Sequence, residues 1–233
     1  MIKNATGFEI YLNCEDPKIC KRLLDTYPID GITTNPQMIS RLKRLDFFAI
    51  VKELREVCGE KTLFLQTPAN EYKDILRDAD VIREAGGAHT IVKIPCNADG
   101  IRAIQTLTDC GIPTLGTQVM SAMQGIMALK AGAKFVAPFY APMVMNGIDG
   151  ETVYKALVEY RKVSNCEGQI MGCAPRNQEE VAWLFTTGIT AVTLDPCDFD
   201  NSVTDQIFLD LNKDVRESWK SVYGVENIYE LKK

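Results

Sequence analysis

The stretch "HTIVKIPCNADGIRAIQTLTDCG" (89–111) holds one short β-rich run, "TIVKIP" (90–95), and behind it a longer segment with helical periodicity, "ADGIRAIQTLTDCG" (98–111). The same alternation extends outward to both ends of the chain. Strands are predicted at 8–13, 31–35, 62–67, 90–95, 113–118, 134–139, 168–173 and 191–196. Helical segments fill the intervals, among them 16–27, 36–58, 71–86, 120–133, 150–164, 177–188 and 201–224. Eight βα units in 233 residues are the pattern of a closed (β/α)8 TIM barrel, here one domain over 1–233 with a C-terminal helical extension. A doubly wound open sheet is the competing architecture. It usually has fewer strands and often a glycine-rich phosphate loop after the first, which is absent here.

Composition narrows the function. A hydrophobic content of 46% is enough for a sizeable core, and a net charge of −5 argues against a nucleic-acid partner. The beginning, "MIKNATGFEIYLNCEDP" (1–17), lacks the apolar core of a signal peptide, and "FVAPFYAPMVM" (135–145) is too short and Pro-broken to span a membrane. No membrane partner and a cytoplasmic location are therefore expected. The eight cysteines lie without C-x-x-C spacing, as free thiols of a reducing compartment do. The single histidine, His89, leaves too few imidazoles for a His-rich metal cage or a zinc-dependent aldolase site, so neither metal nor other cofactor is expected. No G-x-S-x-G elbow precedes a helix, which removes the serine-hydrolase reading.

In such barrels the chemistry sits at the C-terminal ends of the strands. The polar residues ending each run are Asn13, Thr33 and Asn35, Gln66, Lys93, Thr117, Tyr140, Cys173 with Arg176, and Asp195. Only Lys93 is a lysine inside an apolar run. If it points into the lumen, burial lowers its pKa and leaves a neutral amine that can attack a carbonyl. If it points outward, its stem is covered by a helix and its ammonium snorkels to water. Strand pattern alone leaves both open.

"GITTNP" (31–36), "IVKIPCNADGIRAIQTL" (91–107), "GIPTLGT" (111–117), "AGAKFVAPF" (131–139) and "SWKSVYG" (218–224) resemble, in order and at similar spacing, the small transaldolase and fructose-6-phosphate aldolase family. The resemblance implies a class I barrel enzyme whose imine-forming lysine is Lys93. It further implies that Asn35 and Thr33 line the sugar pocket and that Gln66 and Thr117 hold a catalytic water. A small sugar is the implied partner, and a ring-shaped homo-oligomer, pentamer or decamer, the implied assembly. The final "VENIYELKK" (225–233) is a candidate contact with a neighbouring subunit.

Three departures from the family pattern shape the expected chemistry. The family generally ends its first strand in aspartate, whereas this chain has Asn13, and an amide is neither a general acid nor a base. Since the eighth strand closes against the first in a barrel, Asp195 is the proposed substitute. Phe139 matches transaldolases, while Gln66 matches the aldolases. The usual arginine and serine of the acceptor end are Pro142 and Ala174, leaving Arg176 as the retained cation. The expectation is a transaldolase-like enzyme that transfers or releases a dihydroxyacetone unit from a ketose whose tail is not an ordinary phosphate. A sulfonated or unphosphorylated ketose would fit. The alternatives are a fructose-6-phosphate aldolase proper or a catalytically silent sugar-binding relative.

Overall fold

Eight strands pair in parallel in sequence order, and the last pairs with the first, so the sheet closes: β1 (Glu9–Asn13), β2 (Gly31–Thr33), β3 (Thr62–Gln66), β4 (Thr90–Pro95), β5 (Thr114–Val119), β6 (Phe135–Pro138), β7 (Gln169–Cys173) and β8 (Ala191–Leu194). This computed structural model describes residues 7–203 and 206–232. It divides into two compact units, Met1–Pro196 and Cys197–Lys233. The barrel with its helical extension is the architecture expected from the βα alternation.

Parallel strands need crossovers, and helices supply them. They are α1 (Pro17–Thr26), α2 (Pro36–Arg41), α3 (Phe47–Cys58), α4 (Tyr72–Gly86), α5 (Ala98–Asp109), α6 (Ala122–Lys130), α7 (Tyr140–Met145), α8 (Gly150–Ser164), α9 (Gln178–Thr186), α10 (Pro196–Val203) and α11 (Gln206–Tyr223). Asp16, Asn35, Asn97, Ser121, Asp149 and Asn177 cap their helices through side-chain oxygens that accept first-turn amides, each worth about 1 kcal/mol. A Cβ at Gly100 would lie 1.8 Å from the Pro95 carbonyl oxygen. Only glycine there lets α5 start directly against the end of β4.

Side chains alternate across each strand, and the alternation decides what enters the lumen. Tyr11, Phe64, Ile91, Phe135 and Met171 form one buried interior cluster. Tyr11, Phe64 and Phe135 meet edge-to-face with ring centroids 4.9–6.1 Å apart, contacts worth about 1 kcal/mol each beyond burial. They plug the lumen. The next inward positions toward the strand C-termini are Asn13, Gln66, Lys93, Ala137 and Cys173, so the polar residues stack one layer above this aromatic floor.

Several boundaries differ from expectation. The helix predicted over 36–58 is two helices, because Lys43 takes a left-handed φ of 51° and the connection is fixed by Arg44 pairing with Asp46 and Glu53. The strand predicted at 113–118 runs instead over Thr114–Val119. Its register against β6 shifts between Gly116 and Val119, and Gln118 is left-handed at φ 58°. The strand predicted at 134–139 stops at Pro138, and Tyr140 opens an unanticipated helix, α7, with its ring against Trp183 and Tyr154. Residues 204 and 205 of the helix predicted over 201–224, the first six residues of the opening segment, and Lys233 lie outside the described residues.

Within the second unit, α11 has no buried residue, and Ile207, Leu211 and Val215 are exposed along it. Lys220 and Arg216 both pair with Glu226, and a short 3-10 turn, Ile228–Leu231, follows behind an Asn227–Glu230 capping box.

Candidate active site

At the C-terminal end of the barrel the lumen opens into a cavity of ≈ 130 Å³. Its walls include Asn13, Asn35, Lys93, Phe139, Cys173, Ala174 and Asp195. Lys93 points inward and is only 7% exposed, which resolves the two orientations that the strand pattern left open. Its Nζ donates to the Thr34 carbonyl oxygen at 2.9 Å. Burial pushes its pKa down to about 8, with Cys173 acting weakly the other way. A substantial fraction of this lysine is therefore a neutral amine near pH 8. Burial pushes the Cys173 thiol up to about 12. The thiol stays protonated and donates to the Pro138 carbonyl at 3.0 Å.

Asn13 is held between strands. Its Nδ2 donates to Asp195 Oδ1 at 2.7 Å, and its Oδ1 accepts from the Thr33 hydroxyl at 3.1 Å. The Thr33 hydroxyl also meets that of Thr193 at 2.6 Å. Because Thr33 donates to Asn13, Thr193 donates to Thr33, and the chain of donors runs in one direction to the Asp195 carboxylate. The closure of β8 on β1 is what makes this network: Tyr11 pairs with Thr193, and Asn13 and Asp195 each lie two residues further along on the same face. An aspartate at position 13 would instead set two carboxylates 2.7 Å apart, and one would have to hold a proton.

The remaining expected site residues divide. Asn35 caps α2 with its Oδ1, which accepts from Met38 N at 2.9 Å, leaving the amide nitrogen as the group that can meet a ligand. Thr33 lies beneath the cavity wall, fully buried. Gln66 pairs in register with Lys93 but borders an adjoining apolar groove of ≈ 350 Å³, which shares Asn35 with the cavity. Thr117 is fully buried, and its hydroxyl has no partner among the described residues.

The opposite wall is less polar. Phe139 bridges to Cys173 at the end of β6. Ala174 sits at φ 55°, a left-handed conformation costing a non-glycine residue about 1 kcal/mol. Arg176 is outside the cavity lining. Its backbone N–H and its Nε each donate to Glu180 at 2.7 Å, and a terminal nitrogen also contacts that carboxylate. Glu180, Thr193 and the Thr34 carbonyl were not anticipated. Thr193 lies two residues before Asp195 and so shares its face, a spacing that could have found it; Glu180, four residues after Arg176 in "RNQEE" (176–180), carries no sequence signal that separates it from a solvated helix pair.

A parallel barrel that buries a lysine of depressed pKa at the carboxyl ends of its strands, on one cavity with a carboxylate, has the groups that an enzyme working through a lysine imine requires. The family model described as Transaldolase/Fructose-6-phosphate aldolase matches residues 10–206, and the chain belongs to that family. It is accordingly a Schiff-base-forming enzyme of transferase or lyase type, acting on a small sugar. Among the described residues, no helix is long and apolar enough to cross a membrane.

Proposed function

We propose that Lys93 forms the imine and that the chain moves a dihydroxyacetone unit from a ketose whose tail is not an ordinary phosphate. The neutral Lys93 amine attacks the C2 carbonyl, and loss of water with uptake of one proton from solvent leaves a protonated imine. Asp195 accepts the proton of the C4 hydroxyl. The C3–C4 bond then breaks, its electrons pass to the imine nitrogen to give an enamine, and an aldehyde departs. The enamine either adds to a second aldehyde, which is transfer, or is protonated and hydrolysed, which is release. Asn13 and Thr33 orient Asp195, Asn35 meets donor hydroxyls, and Gln66 and Thr117 hold the water that shuttles protons. Phe139 and Ala174 line the acceptor side, and Arg176 marks its outer edge.

The observation that carries this reading is Lys93, buried on the same cavity as the hydrogen-bonded Asn13–Asp195 pair. The tail assignment is supported by the acceptor wall: Pro142 and Ala174 bring neither guanidinium nor hydroxyl, and Lys93 is the one cation lining the cavity among the described residues. We place the enzyme in a reducing compartment, the cytoplasm, in keeping with its free cysteines. We assign it a homo-oligomeric state, with a pentamer or decamer as the expected order, in keeping with the exposed apolar side chains of α11.

Aldehyde release and transfer, followed with fructose, fructose 6-phosphate and a sulfonated ketose as donors, test the proposal. Turnover with a donor other than the phosphate ester, exceeding that with fructose 6-phosphate, is expected. No turnover with any donor by folded protein, or a preference for the phosphate ester, would overturn it.

A further inference from the structure

Arg176 lies one residue beyond Pro175, which lines the cavity mouth. An anionic tail leaving the mouth on this side would meet Arg176 as its nearest cation in sequence, but that guanidinium is already engaged. Glu180 accepts its Nε at 2.7 Å and the Arg176 backbone amide at 2.7 Å, and also takes a terminal nitrogen. The Glu180 side chain is 11% exposed whereas that of Arg176 is 46% exposed, so the carboxylate is the buried partner. Asn177 caps α9 by accepting the Glu180 amide at 2.9 Å, which fixes the backbone from which the carboxylate projects. The Arg176 fork holds the Glu180 carboxyl below its ordinary range against the opposing effect of burial.

An incoming phosphate could take the Nε edge of Arg176 only by displacing a buried carboxylate, and the donors left over belong to a guanidinium whose charge Glu180 already balances. The exchange would leave Glu180 buried beside a second anion, without its guanidinium and with its hold on the backbone amide disturbed. A neutral tail asks for no such exchange. Asp195, on the same cavity, adds like-charge repulsion toward an anion. We propose that Glu180 is a specificity-determining residue: by occupying Arg176 it makes the acceptor end of the cavity discriminate against phosphorylated and sulfonated tails in favour of uncharged ones. This rests on the Lys93 imine reading and narrows its substrate class to ketoses with an uncharged tail.

The test compares kcat/KM for fructose 6-phosphate with that for fructose in the wild type and in Glu180→Gln. The glutamine keeps the shape and one acceptor but removes the charge. The phosphate-to-neutral ratio is expected to rise at least about tenfold in Glu180→Gln, through KM for the phosphate ester. The rise should vanish in Arg176→Gln/Glu180→Gln and be absent in Glu179→Gln, an exposed neighbour on the same helix. An unchanged ratio in folded Glu180→Gln, with the wild type preferring fructose, would overturn the role of Glu180 and leave the neutral-tail reading standing. A wild type that prefers fructose 6-phosphate would overturn both. A gain that persists without Arg176, or appears equally in Glu179→Gln, would show bulk charge at work and overturn the proposal. Independently of any variant, inorganic phosphate should not compete with fructose for the wild-type enzyme; competition would contradict an occupied Arg176.

Discussion

The two walls of the Lys93 cavity handle polarity in opposite ways. On the β1, β2 and β8 side, Thr193, Thr33 and Asn13 pass hydrogen bonds along one direction to Asp195, a carboxylate that lines the cavity. On the β6 and β7 side the lining is Phe139, Cys173, Ala174 and Pro175, and the nearby charges, Arg176 and Glu180, satisfy each other. The first wall offers chemistry to a ligand, and the second withholds charge from it. Bond cleavage and tail recognition are therefore separable, and substitutions on one wall should leave a signature that those on the other do not.

The largest effect is expected at the lysine that both walls face, on β4. Lys93→Met should cost ~10⁴-fold or more in kcat, since the nucleophile is gone. It should also stabilise the fold. The Lys93 pKa drops from 10.5 to about 8 on burial, so in the wild type the charged lysine costs the native state roughly 3 kcal/mol below pH 8. That cost declines as pH rises from 8 toward 10.5 and is absent above. The Tm advantage of Lys93→Met should thus be largest at neutral pH and shrink in alkali, which thermal melts across that range would read. For catalysis the same pKa gives the opposite view: imine formation should accelerate with pH up to about 8 and then level off.

On the chemical wall, Asp195→Asn should lower kcat by ~10²–10⁴-fold with the ratio between phosphorylated and neutral donors little changed. Asn13→Asp alone should also lose activity, because two adjacent carboxylates compete for a proton. The exchange Asn13→Asp/Asp195→Asn should recover at least ~10-fold over Asp195→Asn. Steady-state kinetics on the three variants decide whether the carboxylate has moved from the first strand to the eighth. On the withholding wall, the smallest effect is Ala174→Gly. Relieving φ 55° should raise stability by about 1 kcal/mol in denaturant titrations.

The barrel was legible because each βα unit repeats the same physical need, a short apolar strand followed by an amphipathic crossover. Lys93 stood out because an ammonium inside "IVKIP" has no cheap apolar explanation. Its inward direction was not legible, since a strand lysine can also snorkel, and the resemblance rather than the pattern chose between them. Asp195 was reachable from closure alone: joining the last strand to the first puts its end beside Asn13. Glu180 was hidden because a carboxylate four residues after an arginine reads as an ordinary solvated helix pair. Its burial comes from tertiary packing. The break at Lys43 and the turn at Tyr140 were missed for a related reason, since local apolar periodicity ran through both.

The central claim is that Lys93 is the nucleophile. Borohydride reduction in the presence of fructose, followed by peptide mass mapping, tests it most directly. The expected result is one reduced ketose adduct, on the peptide carrying Lys93, absent from Lys93→Met and forming faster as pH rises to about 8. An adduct on another lysine, or none on folded wild-type protein with any of the three ketoses, would contradict it.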